Sequence, residues 1–193
     1  MPKLVDPEIR RVELTDAAAR LIARAGIGAA TLRNVAAEAG LTTGALTHYF
    51  ADKRELLLRT FEASLQGRLA RRPPRGPGDI TESLRDTLVG ALPIDEERRR
   101  HWMVTVAFCA EAAGDAELAG TQRDAYREFR GHVAQLLARA LPARTRGDTL
   151  ALAEHLIAQV DGVAVQALFD PESWPAERQL AALERALSMV PNA

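Results

Sequence analysis

Between Thr31 and Lys53 the chain sets Thr31, Thr42, Thr43 and Thr47 among small apolar residues, in the stretch TLRNVAAEAGLTTGALTHYFADK. Hydroxyls at such positions can cap helices or make hydrogen bonds to an external polar edge. No nucleophile–base pair accompanies them. The chemistry on offer is therefore recognition, not catalysis. Two short helices must position these groups. Thr31 caps the first, whose stripe Leu32, Val35, Ala36 and Ala39 has the i, i+3, i+4, i+7 spacing of one helix face. Gly40 supplies a left-handed C-terminal cap, Leu41 plugs the turn, and Thr42 or Thr43 caps a second helix carrying Ala45, Leu46, Tyr49 and Phe50. Small residues, Ala36 and Ala37 against Gly44 and Ala45, are expected to let the two helices cross closely.

A short Gly-containing turn between crossing helices is the helix-turn-helix pattern, whose second helix enters a DNA major groove. Thr42 to Phe50 is then the recognition helix. Gly44 and Ala45 allow close approach to the groove, and the Ala45 methyl can meet a thymine methyl. Thr43 and Thr47 can donate to or accept from base edges or phosphates. Leu46 and Phe50 are expected in the core.

The run Gly40-Leu41-Thr42-Thr43-Gly44-Ala45-Leu46-Thr47-His48-Tyr49-Phe50, followed by Asp52-Lys53-Arg54-Glu55-Leu56-Leu57, resembles the DNA-binding signature of TetR-family transcriptional regulators. The resemblance covers roughly residues 8 to 60. It implies phosphate contacts from Tyr49 and Lys53, with Thr31, Arg33 and His48 as further backbone or base contacts. Thr47 departs from the pattern, because the family usually carries Tyr there and that residue often touches DNA. Arg98-Arg99-Arg100 with Trp102, Ala110-Glu111-Ala112, and Asp161-Gly162-Val163-Ala164 resemble the regulatory domain of the BetI-like subgroup.

Composition agrees with a helical, globular chain. Its 193 residues are 47% hydrophobic and 26% charged, with 5% aromatic, and no β-branched alternating runs suggest a sheet. The expected fold is all-α, with about nine helices: an N-terminal three-helix DNA-binding domain (1–52) and a larger helical effector-binding and dimerisation domain (53–193), bridged by a helix over 53–70. Asp6 and Pro7 open the first helix and Gly26 ends it. The run from Arg71 to Gly78 reads as a linker. Asp79 begins a capping box for a helix ended by Pro93. Asp95 and Asp115 cap the next two helices. Asp148 caps a helix over Leu150–Phe169, apolar on nearly all faces and so expected to be buried on most sides. A last helix runs from about Pro175 to Met189.

Net charge is −1, and residues 1–55 carry eight Lys or Arg against seven Asp or Glu, so composition alone gives a weak nucleic-acid footprint. Such a unit reads few base pairs, and the expected partner is a palindromic double-stranded operator bound by a homodimer. Leu156, Val160, Val163, Leu168, Leu180, Leu183 and Leu187 are the expected dimer interface, since one small core is not expected to hold them all. For an unknown small-molecule effector, plausible inward faces carry Trp102, Val106, Cys109, Tyr126, Phe129 and Val133, and a polar stripe offers His155 and Gln159 beside Gly162 and Gln166. Trp102, Tyr126 and Glu111 could together hold a quaternary ammonium ion.

Other chemistries find little footing. His48, His101, His132 and His155 share no i, i+3 or i+4 pairing, and Cys109 is the only cysteine, so no metal or cofactor is expected. Gly26-Ile27-Gly28 lacks the preceding strand of a phosphate loop. The arginine run at 98–100 reads as a solvated face. A polar, charged start and the lack of a run of about 18 apolar residues predict a cytoplasmic protein without a membrane span. The reading is a ligand-responsive DNA-binding regulator, most simply a repressor. An activator or an effector-independent DNA-binding protein is the alternative, and an enzyme is not expected.

Overall fold

The computed structural model describes residues 7–70 and 80–190, all of whose regular structure is helical. Among the described residues nine α-helices run in order: α1 Pro7–Ala25, α2 Leu32–Glu38, α3 Thr43–Leu46, α4 Lys53–Ala70, α5 Ile80–Val89, α6 Glu96–Ala112, α7 Ala116–Ala140, α8 Arg146–Phe169 and α9 Ala176–Ser188. A 3-10 turn, Ile27–Ala29, links α1 to α2. The expected Asp6 cap, the Asp79 capping box and the 71–78 linker lie outside the described residues. No described helix is long and apolar enough to cross a membrane.

The chain divides into two compact units, residues 1–67 with 103–119, and residues 68–102 with 120–193. This division differs from the expected break after residue 52. The cause is visible inside the first unit. Phe61 of α4 stacks on Phe108 of α6, ring centroids 4.1 Å apart and planes within 4°. Both rings are fully buried. The start of α4 and the end of α6 are also joined by ion pairs, so α4 and the C-terminal turns of α6 pack with the head.

In the head, Leu14, Ala17, Ala18 and Leu21 of α1 meet Val35, Ala36, Leu46, Phe50 and Leu56 in one apolar cluster. Leu46 and Phe50 are core, as expected. Gly40 has φ +68°, and the Leu41 amide donates to Ala36 O at 2.8 Å while the Gly40 amide donates to Ala37 O at 3.1 Å. That pattern closes the end of α2 and turns the chain sharply into α3. Of the four small residues expected at the crossing, Ala36 is buried in the head's core and Ala45 is half-buried. Ala37 and Gly44 are exposed, and a Cβ added at Gly44 would meet nothing within 4 Å.

The second unit packs α5, α7, α8 and α9 around Leu84, Leu88, Leu92, Phe129, Val133, Leu137, Leu156, Val160 and Leu183. Here several expectations are corrected. The helical part of α5 stops at Val89, and the following turn exposes Ala91 O to the Trp102 indole, which donates to it at 2.7 Å. Helix α8 begins at Arg146, not Leu150. Thr145 is its cap, and Asp148 is the third helical residue, returning a bond to the Thr145 amide in a reciprocal capping box. Hydrogen bonds from the Thr145 hydroxyl and amide hold the Asp148 carboxyl below the usual carboxylate range. Arg99 is half-buried and engaged, not a free solvated residue: its guanidinium donates to Ala167 O at 3.1 Å and Leu168 O at 2.8 Å, closing the end of α8.

The expectation for the apolar residues of α8 and α9 also changes. Leu156, Val160, Leu168 and Leu183 are all buried within this one chain, and Val163, Leu180 and Leu187 pack partly buried against the same core. One core holds all of them but Leu168, which is buried outside that cluster. The large apolar side chains that α8 leaves outside are Leu150 near its start, 42% exposed, and Val165 and Phe169 toward its end, 39% and 74% exposed.

Candidate nucleic-acid interface

Two threonine caps define the candidate surface. The Asn34 amide donates to Thr31 Oγ1 and the Ala45 amide donates to Thr42 Oγ1, both at 3.2 Å. In each case the hydroxyl oxygen accepts, so its own hydrogen stays available to donate outward. Capping and an external contact are therefore compatible at both positions. Thr47 is arranged the other way. Its hydroxyl donates to Gly44 O at 2.8 Å, leaving the oxygen as an acceptor toward the outside.

Helix α3 spans one turn, Thr43–Leu46, and Thr47–Tyr49 continue it as non-helical turns, so the regular helix is shorter than the expected Thr42–Phe50. The Tyr49 and Phe50 amides both donate to Leu46 O, at 2.9 and 3.1 Å. This turn divides the aromatic pair. Phe50 is buried, while Tyr49 is half-buried against the head's core cluster with part of its ring outside. Thr42, Thr43, Gly44, Thr47 and His48 are exposed, Thr31 and Ala45 half-exposed. One surface of α2 and α3 thus carries hydroxyls, an imidazole and a bare glycine backbone.

Charge is sorted in the same sense. Glu8 pairs with Arg11, Glu13 with Arg10, Asp16 with Arg20, and Glu38 with Arg24 at 3.0 Å. The Arg24 hydrogen bond, with the charges of Arg24 and Arg20, outweighs partial desolvation and lowers the Glu38 pKa. Asp52 and Glu55 are used at the start of α4: the Glu55 amide donates to Asp52 Oδ1 and the Ala51 amide to Glu55 Oε2, each at 2.8 Å. These head acids are occupied elsewhere. Arg33 is exposed on α2, and among the described residues no carboxylate pairs with it. Arg33 thus presents on α2 a positive charge that no ion pair offsets among the described residues.

Lys53 is placed differently from a free surface lysine. Its Nζ lies 2.9 Å from Glu111 Oε1, both side chains being about two-fifths exposed, at 42% and 41%. Its neighbour Arg54 is held harder. Arg54 Nε and Nη2 donate to the two oxygens of Asp115 at 2.6 and 3.0 Å, and Nη2 also reaches Glu117 Oε2 at 2.8 Å. Asp115 in turn accepts from the Glu117 and Leu118 amides, capping α7. The Arg54 hydrogen bonds, with these amides, push the Asp115 carboxyl far below the usual carboxylate range, and the same contacts raise the Arg54 pKa. Sequence reasoning missed Arg54, Glu111, Asp115 and Glu117 as partners. Pairings about sixty residues apart leave no local periodicity to find.

The expected effector residues are distributed as follows. Phe129 and Val133 are built into the core of the second unit, and Trp102 is buried with its indole bond to Ala91. Tyr126 is at the surface, its hydroxyl donating to Asp161 Oδ2 at 2.8 Å. Val106 and Cys109 are half-buried on the part of α6 that belongs to the first unit. His155 and Gln159 lie on the exposed face of α8, which corrects the expectation of a buried polar stripe. Glu111, expected beside Trp102 and Tyr126 in a cation cage, has its carboxylate engaged by Lys53 within the first unit.

Comparisons with known proteins agree with this geometry. Residues 14–60 match the family described as bacterial regulatory proteins, tetR family, and residues 80–191 match the family described as BetI-type transcriptional repressor, C-terminal. The HTH-type transcriptional regulator PksA of Bacillus subtilis (strain 168) is 32% identical over 173 residues, covering 89% of this chain and 84% of that protein. A crystal structure of a transcriptional regulator from Rhodococcus sp. Rha1 superposes with a TM-score of 0.85 at 29% identity, covering 96% of each chain. A transcriptional regulator from Saccharomonospora viridis, solved in complex with choline, shares the fold with a TM-score of 0.85 at 21% identity, covering 95% of this chain and 97% of that one. With its helix-turn-helix head and its matched second half, the chain belongs to the TetR family of transcriptional regulators and carries the C-terminal domain of the BetI-type repressors.

Proposed function

We propose that this regulator represses transcription by binding a two-fold operator as a homodimer, and that a small molecule bound through its second unit releases it. The observation that carries the DNA part is the α2–α3 surface. Its exposed polar groups surround a glycine with open space before it, and the head's acids are paired away from it. In this reading Thr43, Ala45, Thr47 and His48 face base edges, and Gly44 lets the backbone come close. Thr31, Arg33, Thr42, Tyr49 and Lys53 hold phosphates. Phosphate contacts fix register and base contacts specify sequence. Thr47, as an acceptor, suits an exocyclic amino group of adenine or cytosine.

The dimer reading now rests on Val165 and Phe169, exposed apolar side chains one helical turn apart on α8. They replace the buried Leu156, Val160, Leu168 and Leu183 in the proposed contact with a second copy, while the half-buried Val163, Leu180 and Leu187 stay in it. A coupling of about 1–3 kcal/mol between effector and operator sites is sufficient for regulation. Choline is the first probe to try as effector, because a protein of the same fold was solved with it.

The test is selection of bound fragments from genomic DNA, followed by footprinting. The reading expects protected half-sites related by two-fold symmetry, centred roughly 34–36 Å apart or at a multiple of that spacing. Recovery of unrelated fragments with no shared motif would refute it.

A further inference from the structure

We propose that Glu111 is an internal competitor for the DNA backbone: it holds the Lys53 ammonium that a phosphate would take, and so sets operator affinity. The proposal rests on the reading of Lys53 as a phosphate contact. The two residues are 58 positions apart in sequence, yet Nζ and Oε1 are 2.9 Å apart. A carboxylate oxygen and a phosphate oxygen ask the same thing of an ammonium group, a short charge-assisted hydrogen bond. Lys53 therefore exchanges one anion for another when the head engages DNA.

The arrangement keeps the competitor in place during that exchange. Arg54, the next residue along α4, grips both oxygens of Asp115, four residues beyond Glu111, and also reaches Glu117. This clamp ties the start of α4 to the start of α7, just beyond the end of α6, independently of Lys53. Glu111 thus remains within reach whether or not Lys53 is on DNA. Both side chains are partly solvated, so the pair is weak enough to open. Exposed pairs span a range equivalent to about 1.4- to 5-fold in affinity. Across two heads the effect multiplies to about 2- to 25-fold. Charge also has a second consequence. When Lys53 leaves Glu111 the freed carboxylate recruits a cation, which offsets the counterion that Lys53 releases from DNA. The structure thereby assigns Glu111 a role in salt dependence as well as in affinity.

The experiment compares wild type, Glu111→Gln, Lys53→Gln and the double variant on a fluorescent duplex of about 30 base pairs, operator or unrelated, across a salt series. Thermal melts establish that each variant folds, with Glu111→Ala as a second probe. Glu111→Gln is expected to tighten binding about 2- to 25-fold and to steepen the salt slope by up to about 0.9 per head. The gain is expected on both DNAs, because phosphate contacts carry no sequence information. It is expected to vanish in the Lys53→Gln background. Weakened binding by Lys53→Gln with unchanged or weaker binding by Glu111→Gln would overturn the competition while leaving the Lys53 contact standing. Unchanged binding by Lys53→Gln would remove the phosphate reading and the competition together.

Discussion

Replacing Gly44 by leucine separates folding from DNA recognition. Gly44 sits in the single turn of α3, is exposed, and would bring an added Cβ within 4 Å of nothing. Its φ is not in the left-handed region, so a side chain costs no backbone strain there. A helical glycine is destabilising by about 0.5–1 kcal/mol, so Gly44→Leu is expected to raise stability by that amount. For a chain of this size that is a rise of about 1–4 °C in Tm. On DNA the same side chain occupies the space through which α3 approaches the groove. Spoiling one base contact costs about 1–3 kcal/mol, which is roughly 5- to 150-fold weaker binding per head. Gly44→Ala is expected to lie between wild type and leucine. Thermal melts followed by circular dichroism give the first quantity and fluorescence anisotropy the second. A variant that melts higher and binds operator as wild type does would refute the placement of Gly44 against DNA. A variant that melts lower would refute the open space itself.

Three further outcomes follow from other parts of the fold. Gly40→Ala forces a Cβ into φ +68° and is expected to destabilise the protein by about 1–2 kcal/mol, read by chemical denaturation, with its DNA affinity restored wherever the head is folded. Phe169→Lys is expected to shift the oligomer toward monomer in analytical ultracentrifugation with little change in helicity, whereas Leu156→Ala, in a closed core, is expected to cost about 2–5 kcal/mol of stability. Asp115 has a depressed pKa, so its contribution is present above the ordinary aspartate value and is lost only as pH falls through the lower, folded-state value. The melting difference between wild type and Arg54→Met is therefore expected to stay constant from pH 7 to about 4.5, still above the usual aspartate pKa near 3.9, and to shrink only below that. A difference that already fades at pH 6 would contradict the clamp.

The head was legible in the sequence because its determinants are local. Thr31 and Thr42 cap within three residues, Gly40 bends the chain where it stands, and Leu46 and Phe50 repeat at helical spacing. Where the reading failed, the deciding facts were distant ones. Thr145 and Asp148 are both good capping residues, and only the reciprocal bond between them sets the start of α8. The leucines of α8 and α9 read as too many for one core, because the sequence does not reveal how much apolar surface α5 and α7 bring to meet them. Arg99 read as solvated, yet two carbonyls about seventy residues away accept from it. Lys53 read as a free cation for phosphate, and its Glu111 partner appears only once α6 is folded beside α4 within the first unit. Val165 and Phe169 were available to sequence reasoning as an i, i+4 apolar pair, and were masked by the surrounding apolar residues of the same helix.

The central claim is sequence-specific DNA recognition by the α2–α3 surface. Its most direct measurement is an anisotropy titration of the full chain on a footprinted operator and on a shuffled duplex of the same composition, at two salt concentrations. The account predicts binding to the operator at least about 10³-fold tighter than to the shuffled duplex, with both affinities falling as salt rises. Equal affinity for the two duplexes at both salt concentrations would contradict it.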